Sequence, residues 1–295
     1  MLSTASAYHE LTAAWVSSAG HGPTLRGRRY DGPATTLHFV HGNGFCGGVY
    51  WPMLQQLMPH YGLFCVDLEG HGDSDRPTHF SGSKAIARRI APVIADQQPG
   101  GQALVGMGHS YGAALTVRAA AENPHLFRAL VLLDPILLPT SLWLGTRLLA
   151  RLGRNPMSRA ARRRRDRWPS REEAWTRLHD RGIYRGWRDD AFDCFIEHAT
   201  RDEDGERALT CPKWLEAEIF DHPVYPWHAL RQLQCPVLFV YGTQTYSFIA
   251  PAARRARKLL PWLDVRMQVG GHCFMQEDPR TTAATIRDFL DTQQL

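Results

Sequence analysis

The chain has 295 residues, 44% of them apolar and 21% charged, with a formal net charge of +5 and a pI near 9.0. That is enough chain to bury a large core, and the basic excess, with no zinc-ligand, Walker or RNA-binding motif beside it, does not call for nucleic acid. No window approaches the roughly 18 unbroken apolar residues of a membrane span, no basic start and apolar run marks a secretory signal, and Cys46, Cys65, Cys194, Cys211, Cys235 and Cys273 follow no repeating spacing, so free thiols in the cytoplasm are expected.

Leu37-His38-Phe39-Val40 reads as a strand running into a glycine-rich loop, His41-Gly42-Asn43-Gly44-Phe45. A helical pattern covers Tyr50 to Pro59. Gly62 to Asp67 is a second apolar run, and it leads into Leu68-Glu69-Gly70-His71-Gly72-Asp73-Ser74. Lys84 to Asp96 predicts a helix. Ala103 to Met107 is the next run, followed by Gly108-His109-Ser110-Tyr111-Gly112 and a helix from Tyr111 to Glu122. Ala129 to Leu133 predicts a strand ending at Asp134-Pro135. Toward the C-terminus come strands at Pro236 to Tyr241 and Asp264 to Val269, with helices at Ala252 to Leu260 and Arg280 to Leu290. Apolar runs without alternation suit strands buried on both faces of a parallel sheet. Their alternation with helices predicts an α/β fold with a doubly wound, mostly parallel sheet.

The alternation breaks near Leu138 and resumes near Cys235. The stretch between has no strand pattern and holds six of the nine tryptophans, Trp143, Trp168, Trp175, Trp187, Trp214 and Trp227. It predicts a mostly helical insertion, residues 138–232, after the sixth strand of a core made of 1–137 and 233–295. Its charge is lopsided: fourteen arginines and four acids from Ser141 to Arg188, three basic and eleven acidic residues from Asp189 to Leu230. The two halves are expected to attract each other. Arg162-Arg163-Arg164-Arg165 reads either as a solvated surface with acidic neighbours or as a docking patch for an anionic headgroup, phosphate or carboxylate substrate.

Ser110 carries the chemistry. A serine centred in G-x-S-x-G between a strand and a helix sits in strained backbone, its hydroxyl presented at the top of a sheet. The helix aims its first amides at the same point. Cleaving an ester at neutral pH needs a nucleophile, a base, a group that orients the base, and donors for the oxyanion. Ser110, His272 in the loop Gly270-Gly271-His272-Cys273-Phe274, and the backbone amides of Asn43 and Tyr111 fill three of these roles. Gly44, Phe45 and Phe274 are the candidate substrate contacts. His109 reads as packing, His71 as a turn residue and His41 as shaping the oxyanion loop.

His41-Gly42-Asn43-Gly44, Asp67 to Ser74, the serine elbow, Leu132-Leu133-Asp134-Pro135, Pro236 to Gly242 and Gly271-His272 stand in an order that resembles the capped α/β-hydrolases, a family of esterases, lipases and C–C bond hydrolases. The resemblance implies an α/β-hydrolase fold in which the insertion is the cap over the active site, with no metal or cofactor. It departs at the acid. Many members carry an aspartate three residues beyond the glycine after the seventh strand; here that residue is Thr245, and no carboxylate occurs between Tyr241 and Leu263. Some members place the acid at the end of the sixth strand, which implies Asp134; the alternatives are a Ser110–His272 dyad or a threonine donor. Asn43 sits in a loop that resembles that of the dehalogenases, but they and the epoxide hydrolases attack with an aspartate, so Ser110 excludes both. The expected activity is serine hydrolysis of a small-molecule carboxylic ester with an apolar acyl or alcohol part, through an acyl-enzyme. A C–C bond hydrolase and a ligand-binding pseudoenzyme are the alternatives. The oligomeric state is not legible.

Overall fold

The computed structural model describes residues 4–97 and 103–295. Its strands, in chain order, are β1 (Ala13–Ser17), β2 (Leu25–Tyr30), β3 (Thr35–Val40), β4 (Gly62–Asp67), β5 (Ala103–His109), β6 (Ala129–Leu133), β7 (Arg167–Trp168), β8 (Thr200–Glu203), β9 (Glu206–Leu209), β10 (Val237–Gly242) and β11 (Asp264–Gln268). Eight of them form one sheet in the order β1-β2-β4-β3-β5-β6-β10-β11. It is parallel from β4 to β11. Only β1 and β2 run antiparallel.

Every residue of β4 and β6 is buried, because helices cover both faces of the sheet. Successive side chains go to opposite cores: Leu63 and Cys65 join the one that includes Ile286 and Phe289, Phe64 and Val66 the one that includes Ile86 and Ile90. This double burial is why these strands read as unbroken apolar runs. The expected helix from Tyr50 to Pro59 is shorter. It is a 3₁₀ turn, Gly47–Tyr50, and one α-turn, Trp51–Leu54, continued by tight i→i+3 bonds at Gln56, Leu57 and His60. Tyr50, Trp51, Met53 and Leu54 are all fully buried, so no face is left to water as an amphipathic helix requires.

Between β6 and β10 lie six helices: Thr140–Arg151, Pro156–Arg163, Arg171–Leu178, Asp189–His198, Lys213–Asp221 and Trp227–Leu230. The stretch is not purely helical. β7, β9 and β8 make a small antiparallel sheet. Its strands are two to four residues long and rich in charge, so they carry no apolar period. One signal was available: Asp204-Gly205, both at positive φ, closes the β8–β9 hairpin. The opposed charges do meet, with Arg162 on Glu218 and Asp221, and Arg164 on Glu216.

At the end of β4 the buried Asp67 carboxylate accepts the N–H groups of Gly47 (2.8 Å) and Asp73 (3.1 Å), tying together the loops that follow β3 and β4. Burial pushes its pKa from 3.8 up to about 7. The folded state therefore binds the extra proton over that interval, and stability falls as pH rises from 3.8 to about 7, then levels off. Asp67→Asn is expected to remove this slope. Thermal unfolding at a series of pH values checks it, and an equal slope in the variant would assign the effect to another group.

Candidate active site

β5, β6 and β10 are neighbours, and their ends are level: His109 pairs with Leu133, and Leu133 with Val240. The next residues, Ser110 and Asp134, step off the sheet side by side. The Ser110 N–H still donates to the carbonyl of Leu133 (3.0 Å), and the Asp134 N–H to that of Val240 (2.8 Å). Both have positive φ, 55° and 42°, a conformation that costs an ordinary side chain about 1–3 kcal/mol. The flanking glycines are sterically required. A Cβ on Gly108 would meet the Ala113 amide nitrogen at 2.7 Å, and one on Gly112 would strike the carbonyls of Val40 and His41.

Asp134 is fully buried. Its Oδ1 accepts the N–H of Gly242 (2.9 Å). Its Oδ2 accepts the hydroxyl of Thr245 and the Nδ1–H of His272, the latter at 2.6 Å. With Nδ1 donating, His272 Nε2 is left as an acceptor, and Ser110 Oγ lies 2.9 Å from it. The carboxylate, imidazole and hydroxyl thus form one continuous chain. Thr245, three residues beyond the glycine that ends β10, thus holds the carboxylate at the end of β6, the neighbouring strand.

Two buried histidines shape the loop after β3. His41 Nδ1–H donates to the Gly42 carbonyl (2.8 Å) while its Nε2 accepts the Leu68 N–H (2.9 Å). His71 Nδ1–H donates to the Glu69 carbonyl (3.0 Å), and its Nε2 accepts the Gly44 N–H (3.1 Å). Burial lowers the pKa of both, His71 to about 4, and keeps them neutral. With the Gly42, Gly44 and Phe45 amides engaged, the Asn43 N–H is left without a partner among the described residues. The Tyr111 N–H is also free, because the first amides of a helix have no carbonyl behind them.

His109 does more than pack. It is fully buried, and burial, then the neighbouring His272, lowers its pKa well below the ordinary value. Its Nε2–H donates to the carbonyl of His272 (2.9 Å), so its Nδ1 accepts from the Tyr50 hydroxyl (2.7 Å). The Tyr50 oxygen in turn accepts the Gly42 N–H (3.1 Å). This second chain joins the loop after β3 to the loop of His272. The sequence offers no sign of Tyr50, which lies 59 positions from its partner.

Above Ser110 opens a cavity of about 410 Å³. Asn43, Phe45, Ser110, Tyr111 and His272 border it, and most of the remaining wall is apolar, including Ile136, Leu142, Leu149, Ile219, Val224 and Phe248. Among the described residues, no arginine, lysine or carboxylate lines it. Gly44 and Phe274 do not line it either. Gly44 spends its amide on His71, and its open side faces Glu216. Phe274 begins the short helix Phe274–Glu277, which turns its ring fully into the core. The tryptophans of 138–232 also lie elsewhere: Trp168 is buried, Trp227 is buried under the Arg255 guanidinium, and Trp143 and Trp175 donate to Pro223 and Asp193. None of Arg162 to Arg165 reaches the cavity. Arg162, Arg164 and Arg165 are paired with carboxylates: Arg162 and Arg165 at the surface, Arg164 with the buried Glu216.

A family model described as the alpha/beta hydrolase family matches residues 39–285. Pimeloyl-(acyl-carrier protein) methyl ester esterase of Xanthomonas campestris pv. campestris is 37% identical over 102 residues, 35% of this chain and 36% of that protein. 2-(Acetamidomethylene)succinate hydrolase of Mesorhizobium japonicum is 35% identical over 106 residues, 36% of this chain and 37% of that protein. The chain matches little more than a third of the length of either relative. Among solved structures, E-2-(acetamidomethylene)succinate hydrolase superposes with a TM-score of 0.79 at 25% identity, covering 95% of this chain and 99% of that one. The thioesterase domain from the curacin biosynthetic pathway superposes with a TM-score of 0.72 at 19% identity, covering 94% and 99%, a likeness of fold alone.

Proposed function

The chain belongs to the alpha/beta hydrolase family, and from that premise we propose that it is a serine hydrolase of uncharged carboxylic esters with an apolar acyl or alcohol part. The observation that carries this reading is the Ser110–His272–Asp134 chain opening on an apolar cavity without a charged side chain. His272 Nε2 takes the proton of Ser110 as Oγ attacks the carbonyl carbon. The oxyanion is held by the free N–H groups of Tyr111 and Asn43. Asp134 fixes the imidazole tautomer and faces the positive charge that forms. The alcohol leaves with the proton from Nε2, and water, activated by the same nitrogen, releases the acid from Ser110. Residues 138–232 act as the cap and supply much of the cavity wall. Six unpaired thiols suit a reducing compartment, and the cytoplasm is the proposed location.

The test is a matched series of p-nitrophenyl esters. kcat/KM is expected to rise with acyl length until the cavity is filled, and to fall at least 100-fold when a carboxylate replaces the terminal methyl. The uncharged wall leaves such a group unpaired and desolvated. A preference for the carboxylate-bearing ester would overturn the reading.

The whole-chain likeness to E-2-(acetamidomethylene)succinate hydrolase supports a second reading, in which the same three residues hydrolyse a bond other than an ester. A succinate carries two carboxylates, and the uncharged wall argues against that substrate here. The pseudoenzyme alternative rested on the missing acid after β10; the 2.6 Å contact of Asp134 with His272 supports the enzyme reading against it.

Tyr50 and His109 are proposed as positioning residues. Tyr50→Phe leaves the Gly42 N–H and His109 Nδ1 buried without partners, at about 1–3 kcal/mol for each orphaned group. kcat is expected to fall roughly tenfold with KM little changed, and Tm to drop. Steady-state kinetics and thermal unfolding check this; a lowered Tm with normal kcat would make the pair structural only.

A further inference from the structure

The cap helix Thr140–Arg151 has no buried residue. Helical spacing divides its leucines between two faces. Leu142 and Leu149 look into the cavity. Leu144, Leu148 and Leu152, spaced i, i+4 and i+8 and running one residue past the helix, form an outer stripe exposed by 56%, 60% and 57%. The helix that carries the stripe also walls the cavity, and Met157, Ile183 and Tyr246 of that wall are themselves exposed. Isolated exposed leucines are ordinary; a row of three leading to the mouth of an apolar cavity marks an interaction surface.

Charge runs beside the stripe. Arg147 and Arg151 flank it on the same helix, and Arg154 and Arg159 follow in the next turn and helix. Glu173, Glu216, Glu218 and Asp221 are paired with Arg162, Arg164 and Arg165. The other four arginines have no carboxylate partner among the described residues. Basic residues edging an exposed apolar helix face are the pattern of a helix lying in a lipid–water interface.

We propose that this rim docks on the surface of an anionic lipid aggregate, with Leu144, Leu148 and Leu152 inserted and Arg147 and Arg151 on the headgroups. The cavity mouth then faces the phase in which an apolar ester is dissolved. The proposal rests on the ester reading and adds where the substrate is met. Leu144, Leu148 and Leu152 line neither the cavity nor the polar concavity beside Arg147 and Arg151, where Glu218 and Asp221 already stand; a fluid surface accepts such projecting side chains without prior fit. A second copy packed stripe to stripe would bring two sets of unpaired arginines together.

The experiment is co-sedimentation of the full chain with phosphatidylcholine vesicles, with and without phosphatidylglycerol. The chain is expected to sediment with the anionic vesicles, less so as salt is raised. Each basic residue near such a surface is worth roughly fivefold in partitioning, so Arg147→Gln with Arg151→Gln should lower it about 25-fold on anionic vesicles and little on neutral ones. Leu144→Ser with Leu148→Ser and Leu152→Ser should lower it at least about tenfold on either. Turnover of a dissolved short-chain ester by all variants is expected to match the parent and shows that they are folded. Loss of that turnover in the parent itself would count against the ester reading, not against docking. A parent chain that stays in the supernatant overturns the proposal, as does a leucine variant that sediments like the parent. So does a parent that ignores vesicles but binds an acidic carrier protein, or a stripe whose only effect is to hold a dimer in sedimentation velocity.

Discussion

Ser110→Ala is expected to leave a folded protein whose ester turnover is about 10⁶-fold lower than the parent's. The hydroxyl makes one hydrogen bond at the elbow, to His272. The backbone there is fixed by the Ser110 N–H on Leu133 and by the close approaches at Gly108 and Gly112, none of which alanine alters. The strained φ remains, so Tm should move little. What remains of catalysis comes from the oxyanion amides and substrate binding. Hydrolysis of a p-nitrophenyl ester measures the loss, and a fluorophosphonate probe adds a second reading: the parent should be labelled at Ser110 and the variant not at all. A variant that keeps more than a few per cent of activity would remove Ser110 as the nucleophile.

Asp134→Asn is expected to lower kcat by about 10³–10⁴ with KM nearly unchanged, because Asp134 does not line the cavity. An asparagine oxygen can still accept the Gly242 N–H. Its NH₂ then faces His272 Nδ1 and donates to it. The imidazole shifts to the tautomer with hydrogen on Nε2, which cannot take the Ser110 proton. Thr245→Asp added to this variant should recover part of the rate, since the Thr245 hydroxyl already reaches the same carboxylate oxygen as His272. Thr245→Asp alone should be harmful, because two buried carboxylates would press on one histidine and raise one of their pKa values. An Asp134→Asn enzyme with near-normal kcat would leave a Ser110–His272 dyad and reduce Asp134 to a hinge into the cap.

Much of this site was legible because it hangs from strand ends. A buried run followed by Gly-x-Ser-x-Gly, a run ending in Asp134-Pro135, and a run ending in Gly-Gly-His each mark where a strand leaves the core. Parallel neighbours bring those points together. What depended on packing was not legible. Gly44 and Phe274 stand beside site residues in sequence, yet a loop amide drawn to His71 and a helical turn carry them away in space. The Tyr50–His109 chain needs two elements to meet that no local pattern links. The tryptophans signalled an apolar cap but not which surface each covers, and the cavity wall fell mostly to aliphatic side chains. β7, β8 and β9 were hidden because strands this short and charged carry no period.

The position of Asp134 in the chain has an evolutionary side. Asp134 precedes residue 138, where the insertion begins, by four positions, while Ser110 and His272 lie on either side of the whole stretch. Recombination that exchanges 138–232 would reshape the cavity wall, but it would also take away the helix Asp189–His198, whose Phe195 packs in one core with Phe45, Tyr50 and Trp51. A second suture limits which grafts take. The Asn43 Nδ2–H donates to the carbonyl of Glu216, 3.1 Å away, and an incoming segment without a carbonyl at that spot would leave the loop beside the nucleophile unmoored.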